Sequence, residues 1–332
     1  VTFATVASPG VAAARLNAPG VMMAFTIAAA STFLSEHYGA PTMLFALLIG
    51  MAFHFLSVEG PCVEGVRLTS TRLLKIGVAL LGVRVTFSDL AALGPAPALL
   101  TPALIALTIG AGVLFSRLFG ATARFGVLTG GAVAICGASA ALAIAAVLPK
   151  RENGERDALF TVIAVTSLST IAMIIYPVLF KALDFDDRQI GWLVGATIHD
   201  VAQVVGAGYA VSDEAGVVAT YVKLLRVAFL PIVVIGIAFV SRRAASEAKA
   251  PFPWFAVGFV ALLAINSLGL LPDWLKSVIA IAAQWLLVAA IAALGMKTSL
   301  KAVADLGPRP IAIVVGSTLA LLAASVIAVS ML

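Results

Sequence analysis

ALLGVRVTFSDLAALGPAP, residues 79–97, returns as AALGMKTSLKAVADLGPRP, residues 292–310. At a constant offset of 213 the two share Ala79/Ala292, Leu81/Leu294, Gly82/Gly295, Ala91/Ala304, Leu93/Leu306, Gly94/Gly307, Pro95/Pro308 and Pro97/Pro310, eight identities in nineteen ungapped positions. Arg84 also matches Lys297, and Thr86 matches Ser299. The same offset lays His54 of GMAFHF one position from Asn266 of LAINSL. A duplicated unit explains this pattern. Generic Gly/Pro punctuation between apolar helices is the competing explanation.

What surrounds the repeat is apolar. Of 332 residues, 62% are hydrophobic and 11% charged, and the mean hydropathy is +1.11. A soluble domain carries about 25% charged residues, so the chain reads as an integral membrane protein. Its apolar runs of about 20 residues suit helices and exclude a β-barrel with its short alternating strands. The fold class is therefore all-α, a polytopic transmembrane bundle. Two cysteines, Cys62 and Cys136, indicate neither a disulfide framework nor a metal site. Walker, HExxH, GxSxG and dinucleotide motifs are missing in any usable context, which argues against an enzyme, a primary pump or a bound cofactor. The net charge of +5 bears on topology rather than on nucleic acid.

Eleven candidate spans fall at roughly 18–35, 40–57, 72–87, 95–116, 125–148, 158–181, 189–211, 215–240, 253–271, 276–296 and 308–331. No loop is long enough to fold alone, so residues 1–332 form a single membrane domain. Cytoplasmic loops carry excess Lys and Arg. In the eleven-span scheme, fourteen of these residues fall on the N-terminal side and five (Arg84, Lys150, Arg151, Arg156, Lys276) on the other. The N-terminus is thus expected in the cytoplasm. The repeat halves, approximately 40–120 and 253–332, lie an odd seven spans apart and so enter the membrane from opposite sides. Inverted repeats of this kind build secondary transporters around a midplane site.

Polar residues inside apolar spans mark pathways or sites because they are costly there. In TGGAVAICGASAALAIAAVLP (129–149), Gly130, Gly131 and Gly137 flank Cys136, with Ser139 just beyond. Two readings fit: a broken helix presenting N–H groups to an anion near Gly137 and Ser139, or small residues that allow close packing. In GATIHDVAQVVGAG (195–208), His199 and Gln203 share a helix face four residues apart, and Asp200 adjoins His199. That group could bind or relay protons, or clamp neighbouring helices. Lys223 and Arg226 in YVKLLRVAFLP (221–231) are three apart in span eight. They are interface anchors if they snorkel. If they point inward, they neutralise Asp200 or hold an anionic substrate. His54, Asn266 and Gln284 read as structural hydrogen-bonding residues first and ligands second.

The ICGASA run (135–140), GATIHDVAQVVGAG and VKLLRVAFLP (222–231), in this order, resemble the sulfate exporter family of conserved bacterial inner-membrane proteins. LLKIGVALLGVRVTF (73–87) and INSLG (265–269) resemble further blocks of it, so the likeness covers nearly the whole chain. It implies a bacterial inner-membrane location and export of sulfate or an organosulfur anion. The family is also similar to the fold group of sodium/proton antiporters and bile-acid sodium symporters, where two broken helices cross at the substrate site. That similarity puts Cys136, Gly137 and Ser139 on one broken helix and His199, Asp200 and Gln203 on the other. Spans five and seven run in the same direction in the eleven-span scheme, a departure from that pattern. It leaves open a misplaced span between residues 125 and 215, or a different arrangement of crossing helices.

The expectation is a secondary transporter of a small anion, working by alternating access with H+ or Na+ as coupling ion. Its candidate site comprises Cys136, Gly137, Ser139, His199, Asp200, Gln203, Lys223, Arg226 and Asn266. The alternative is a cation/proton exchanger in which Asp200 carries the ion. Its surroundings are the lipid bilayer, its ligand a small anion, and a homodimer is one candidate assembly.

Overall fold

The computed structural model describes residues 9–38, 41–92, 94–149, 154–240, 254–298 and 308–331. Among them all regular structure is helical. Six described helical stretches are long and apolar enough to cross a membrane, which makes the molecule a polytopic helical bundle. The first layer holds α1 (Pro9–Tyr38), α2 (Thr42–Ala52), α3 (Val63–Leu68) and α4 (Leu74–Leu80). A π-turn at Thr69–Leu73 joins α3 to α4, and a tight turn at Leu81–Arg84 extends α4. After α5 (Phe87–Ala92), the second layer begins with α6 (Ala96–Leu118), α7 (Ala123–Ala134), α8 (Ala138–Val147) and α9 (Gly154–Ala182). It continues with α10 (Asp187–Thr197), α11 (Val201–Val211), α12 (Asp213–Ala228) and α13 (Leu230–Val240). The chain then returns to the first layer with α14 (Trp254–Ser267) and α15 (Asp273–Lys297), and α16 (Pro308–Ser330) packs on α6 in the second.

The repeat appears as paired elements: α2 with α14, the α3–α4 crossing with α15, and α6 with α16. Each half lends its short helix to the other, because α2 packs along α15 while α14 packs along α4 and the Leu81–Arg84 turn. The repeated glycines make this possible. A methyl group on Gly82 would collide with the Phe259 carbonyl in α14, and one on Gly295 with the Leu47 carbonyl in α2. Matching polar ties close the same pairs. His54 Nδ1 lies 2.6 Å from the Met296 carbonyl oxygen, and Asn266 Nδ2 donates to the Val85 carbonyl at 3.1 Å. The GP-x-P motif serves as a helix start: Gly94 turns with φ +71°, Pro95 precedes α6, and Pro308 opens α16. Residues 299–307 of the second copy lie outside the described residues.

Two of the eleven apolar stretches do not cross. The Thr122 side chain caps α7 by accepting from Phe125 N at 3.3 Å. The chain then turns at Gly137, with φ +61° and ψ −121°, and α8 runs back along α7. A methyl on Gly131 would strike the Ile144 side chain, although a continuous helix would hold those residues about 20 Å apart. The return is complete, because Arg124 Nη2 lies 3.1 Å from where a Gly154 Cβ would sit. The Phe125 and Phe160 rings are also only 6.0 Å apart. Helix α9 therefore starts at the face where α7 began.

Helices α10 and α11 form a second hairpin from the opposite face. Asp186 and Gln189 cap α10 reciprocally. Gly191 in α10 and Gly208 in α11 both lie against Ala215 of α12, with methyl positions 2.7 and 3.0 Å from its carbonyl oxygen. Asp200 N donates to Ser169 Oγ at 3.1 Å, and Gly206 abuts Met173, so α11 runs toward the C-terminal end of α9. Spans five and seven are thus re-entrant hairpins that point at each other. This resolves the conflict over their direction, since each entire stretch enters and leaves by one face. Non-helical backbone at membrane depth persists only where protein buries it or a cavity meets it, and both conditions hold at the two tips.

Candidate functional site

Four helix ends meet where the hairpins touch. A Cβ on Gly137 would stand 3.7 Å from the His199 carbonyl carbon and Cβ. Helices α7 and α10 end here, each leaving carbonyls without helical partners and about half a negative charge. Lys223 and Arg226 satisfy them. Lys223 Nζ donates to the Ile135 carbonyl at 2.7 Å and the Ile198 carbonyl at 2.8 Å. Arg226 donates from Nε to Ala134 O at 2.8 Å and from Nη2 to Val133 O at 3.1 Å. Its Nη2 also reaches Ala134 O, and its Nη1 reaches Ala196 O. Both side chains are buried, at 0% and 1% exposure. They sit near the middle of the 28-residue Asp213–Val240 stretch and do not snorkel. The expectation that they pair with Asp200 or grip a substrate gives way to a different contact: their donors go to the backbone of both tips.

The other two ends, the N-termini of α8 and α11, open on a cavity of about 110 Å³ between the two layers. Cys136, Ser139 and Asp200 line it, with Lys75 and Phe255 contributed by the first layer. Asp200 caps its own helix, accepting from Ala202 N at 3.3 Å. Cys136 Sγ and Ser139 Oγ are 2.9 Å apart, and Ser139 Oγ also donates to the Cys136 carbonyl at 3.2 Å. Lys75 Nζ stands 5.9 Å from the Phe255 ring centre. Two helix N-termini and a lysine give this cavity a positive lining, with Asp200 its single carboxylate among the described residues.

The remaining predicted residues lie elsewhere. His199 is fully buried and turns to α16, its Nε2 lying 3.0 Å from Thr318 Oγ1. Gln203 is buried against α9, where Nε2 donates to Thr170 Oγ1 at 3.4 Å and Oε1 has no partner among the described residues. Gly137 forms the hinge, and Asn266 belongs to the α14 tie to Val85. So the structure unites Cys136, Ser139 and Asp200 in one cavity, puts Lys223 and Arg226 behind the tips, and leaves Asn266 apart. Sequence reasoning missed Lys75 and Phe255, and also a second repeat. An offset of 64 aligns the hairpins, matching Arg124/Arg188, Gly131/Gly195, Ala132/Ala196 and Ala138/Ala202.

These features define an integral membrane protein built on two opposed re-entrant hairpins that meet at a buried, partly polar cavity. The chain belongs to the family described as conserved hypothetical protein 698, whose model matches residues 19–314. It is 51% identical over 306 residues to a UPF0324 membrane protein of Chlorobaculum tepidum, covering 90% of this chain and 86% of that one. It is 50% identical over 307 residues to a UPF0324 membrane protein of Rhizobium meliloti, covering 91% and 89%. It is 49% identical over 307 residues to the UPF0324 membrane protein TauZ of Paracoccus denitrificans, covering 90% and 91%.

Proposed function

We propose that the protein is a secondary transporter that moves a small anion by alternating access, with sulfate or an organosulfur anion as first candidates. One observation carries this reading. The carbonyl ends of the half-helices are neutralised by Lys223 and Arg226, while the N–H ends of α8 and α11 face a cavity between two layers. Positive helix ends aimed at a midplane cavity suit an anion, and they need no reorganisation when it arrives. Ser139 would orient the ligand, Lys75 would add charge at the edge, and Asp200 would take the coupling proton or sodium ion. His199 has no direct part, because it is buried against Thr318.

Loop charge supports a cytoplasmic N-terminus in a bacterial inner membrane. A connection as short as residues 149–154 cannot cross a bilayer, so Lys150, Arg151 and Arg156 belong to the basic side. Lys181 and Arg188 leave it, and fourteen against five becomes fifteen against four.

The reading is tested in proteoliposomes by uptake of radiolabelled sulfate and of a sulfonate, with and without pH and sodium gradients. Gradient-dependent uptake that Asp200→Asn and Ser139→Ala reduce is the expected result. Uptake equal to that of empty liposomes under every gradient would remove the proposal. The carboxylate in the cavity also favours a second reading, a cation/proton exchanger. Cation-driven proton flux without any anion would select it.

A further inference from the structure

Arg84 and Lys297 occupy equivalent places in the repeat, yet their surroundings differ. Arg84 ends the first-layer α4 turn and reaches across to the second layer. Its Nη1 lies 3.1 Å from Asp213 Oδ1, and its guanidinium stands 6.0 Å from the Tyr209 ring centre. Asp213 opens α12, the helix that follows the second hairpin. Around this contact the interlayer space is a separate cavity of about 90 Å³, lined by Thr42, Gln284 and Leu287 among others. Lys297 ends α15 at the opposite face. Among the described residues it has no ion-pair partner.

The hairpins supply matching partners. Helix α9 follows the first hairpin as α12 follows the second, and both have acidic first turns: Glu155 and Asp157 in α9, Asp213 and Glu214 in α12. Arg84 is paired with the acidic first turn of α12, while Lys297, its equivalent in the repeat, is paired with no carboxylate among the described residues. The layers are thus tied by an ion pair at the Arg84 face, and at the Lys297 end of α15 no such pair is made among the described residues. Resting on the transporter reading, we infer that Arg84 and Lys297 are alternating gate cations. Arg84–Asp213 closes one face in the conformation described, and Lys297 with Glu155 or Asp157 closes the other when the halves exchange conformations. Such an exchange is what an inverted repeat permits, and two unequal arrangements of like contacts form the bistable element it requires.

Cysteine pairs test this in full-length protein carrying Cys62→Ser and Cys136→Ser, with Ser139→Cys as a reporter for an impermeant thiol reagent. In membranes labelled from each face in turn, the reporter should react from the Lys297 face. Disulfide formation by Arg84→Cys with Asp213→Cys should preserve that pattern. Disulfide formation by Lys297→Cys with Glu155→Cys or Asp157→Cys should cut labelling from the Lys297 face and raise it from the Arg84 face, each by about tenfold. The charge exchange Arg84→Asp with Asp213→Arg should restore the wild-type pattern that Asp213→Asn shifts toward the Arg84 face. The inference falls if neither Lys297→Cys pair crosslinks while the Arg84→Cys pair does. It falls equally if either crosslinked Lys297→Cys pair leaves reporter accessibility unchanged. Accessibility is read without substrate, so alternating gates with no anion uptake would refute the transporter reading alone.

Discussion

Arg226 directs all three guanidinium nitrogens at carbonyls from two different half-helices, and Lys223 bridges the same two tips. An arginine in the middle of an apolar helix is costly unless its donors are met, and the unpaired carbonyls of two helix ends in the same place are costly too. Each group solves the other's problem. Arg226→Gln keeps some hydrogen bonding but loses the fork and the charge, so it should destabilise the protein by about 3 kcal/mol. The measurement is thermal unfolding in detergent, and Arg226→Lys should recover only part of the loss because one ammonium keeps the charge but not the planar fork of donors. A melting temperature equal to wild type would show that the tips stand without it. Asp200→Asn separates structure from function, since Asn caps a helix as well as Asp does. Its stability should stay within about 0.5 kcal/mol of wild type while the proposed ion-coupled uptake is reduced. The direction of Lys223 and Arg226 could not be read from spacing alone, because a long cationic side chain at that depth can snorkel or turn inward.

At the scale of elements, glycines divide into those that face backbone and those that face open space. Gly82 and Gly295 are repeat equivalents, each pressed on a carbonyl of the other half's short helix, whereas Gly110 in α6 and Gly236 in α13 have none of the described residues within 4 Å of a Cβ position. Gly82→Ala and Gly295→Ala should each force helices apart and cost about 2 kcal/mol. Gly110→Ala and Gly236→Ala should instead be neutral or stabilise by about 0.5 kcal/mol through backbone entropy. Equal melting temperatures for all four variants would remove the close-packing explanation of the repeat. The sequence offered a helix break near Gly137 as one of two readings, and the family resemblance implied a second near Asp200, because glycine and polar residues interrupt otherwise uniform apolar runs there. It did not show which way the chain goes after a break. Residues 125–148 are long enough to cross a bilayer, and the contact that folds them back, Gly131 on Ile144, has no periodicity to reveal it. The offset of 64 between the hairpins could have done so, but its matches are alanine, glycine and a single arginine in a chain rich in the first two.

For the whole molecule, the consequence of two re-entrant hairpins is a topology in which only the segment between them changes sides. The fold class, the inverted repeat and most loop positions follow from composition and the 213-residue offset, and they hold whether or not spans five and seven cross. What the hairpins alter is the face on which α9 begins and ends. That difference can be measured without knowing the ligand. In protein carrying Cys62→Ser and Cys136→Ser, Arg117→Cys and Glu155→Cys should react with an impermeant thiol reagent from the same face of sealed vesicles. Lys181→Cys should react only from the other, and so should Lys276→Cys, which belongs to a loop that both schemes put opposite Arg117. All four positions except partly buried Lys276 are exposed, so slow labelling there is expected without affecting which face it comes from. Two straight crossings would instead put position 155 opposite position 117 and position 181 on the same side as it. Labelling in that second pattern would dissolve the paired hairpins, and with them the four-ended site and the alternating gates built on it.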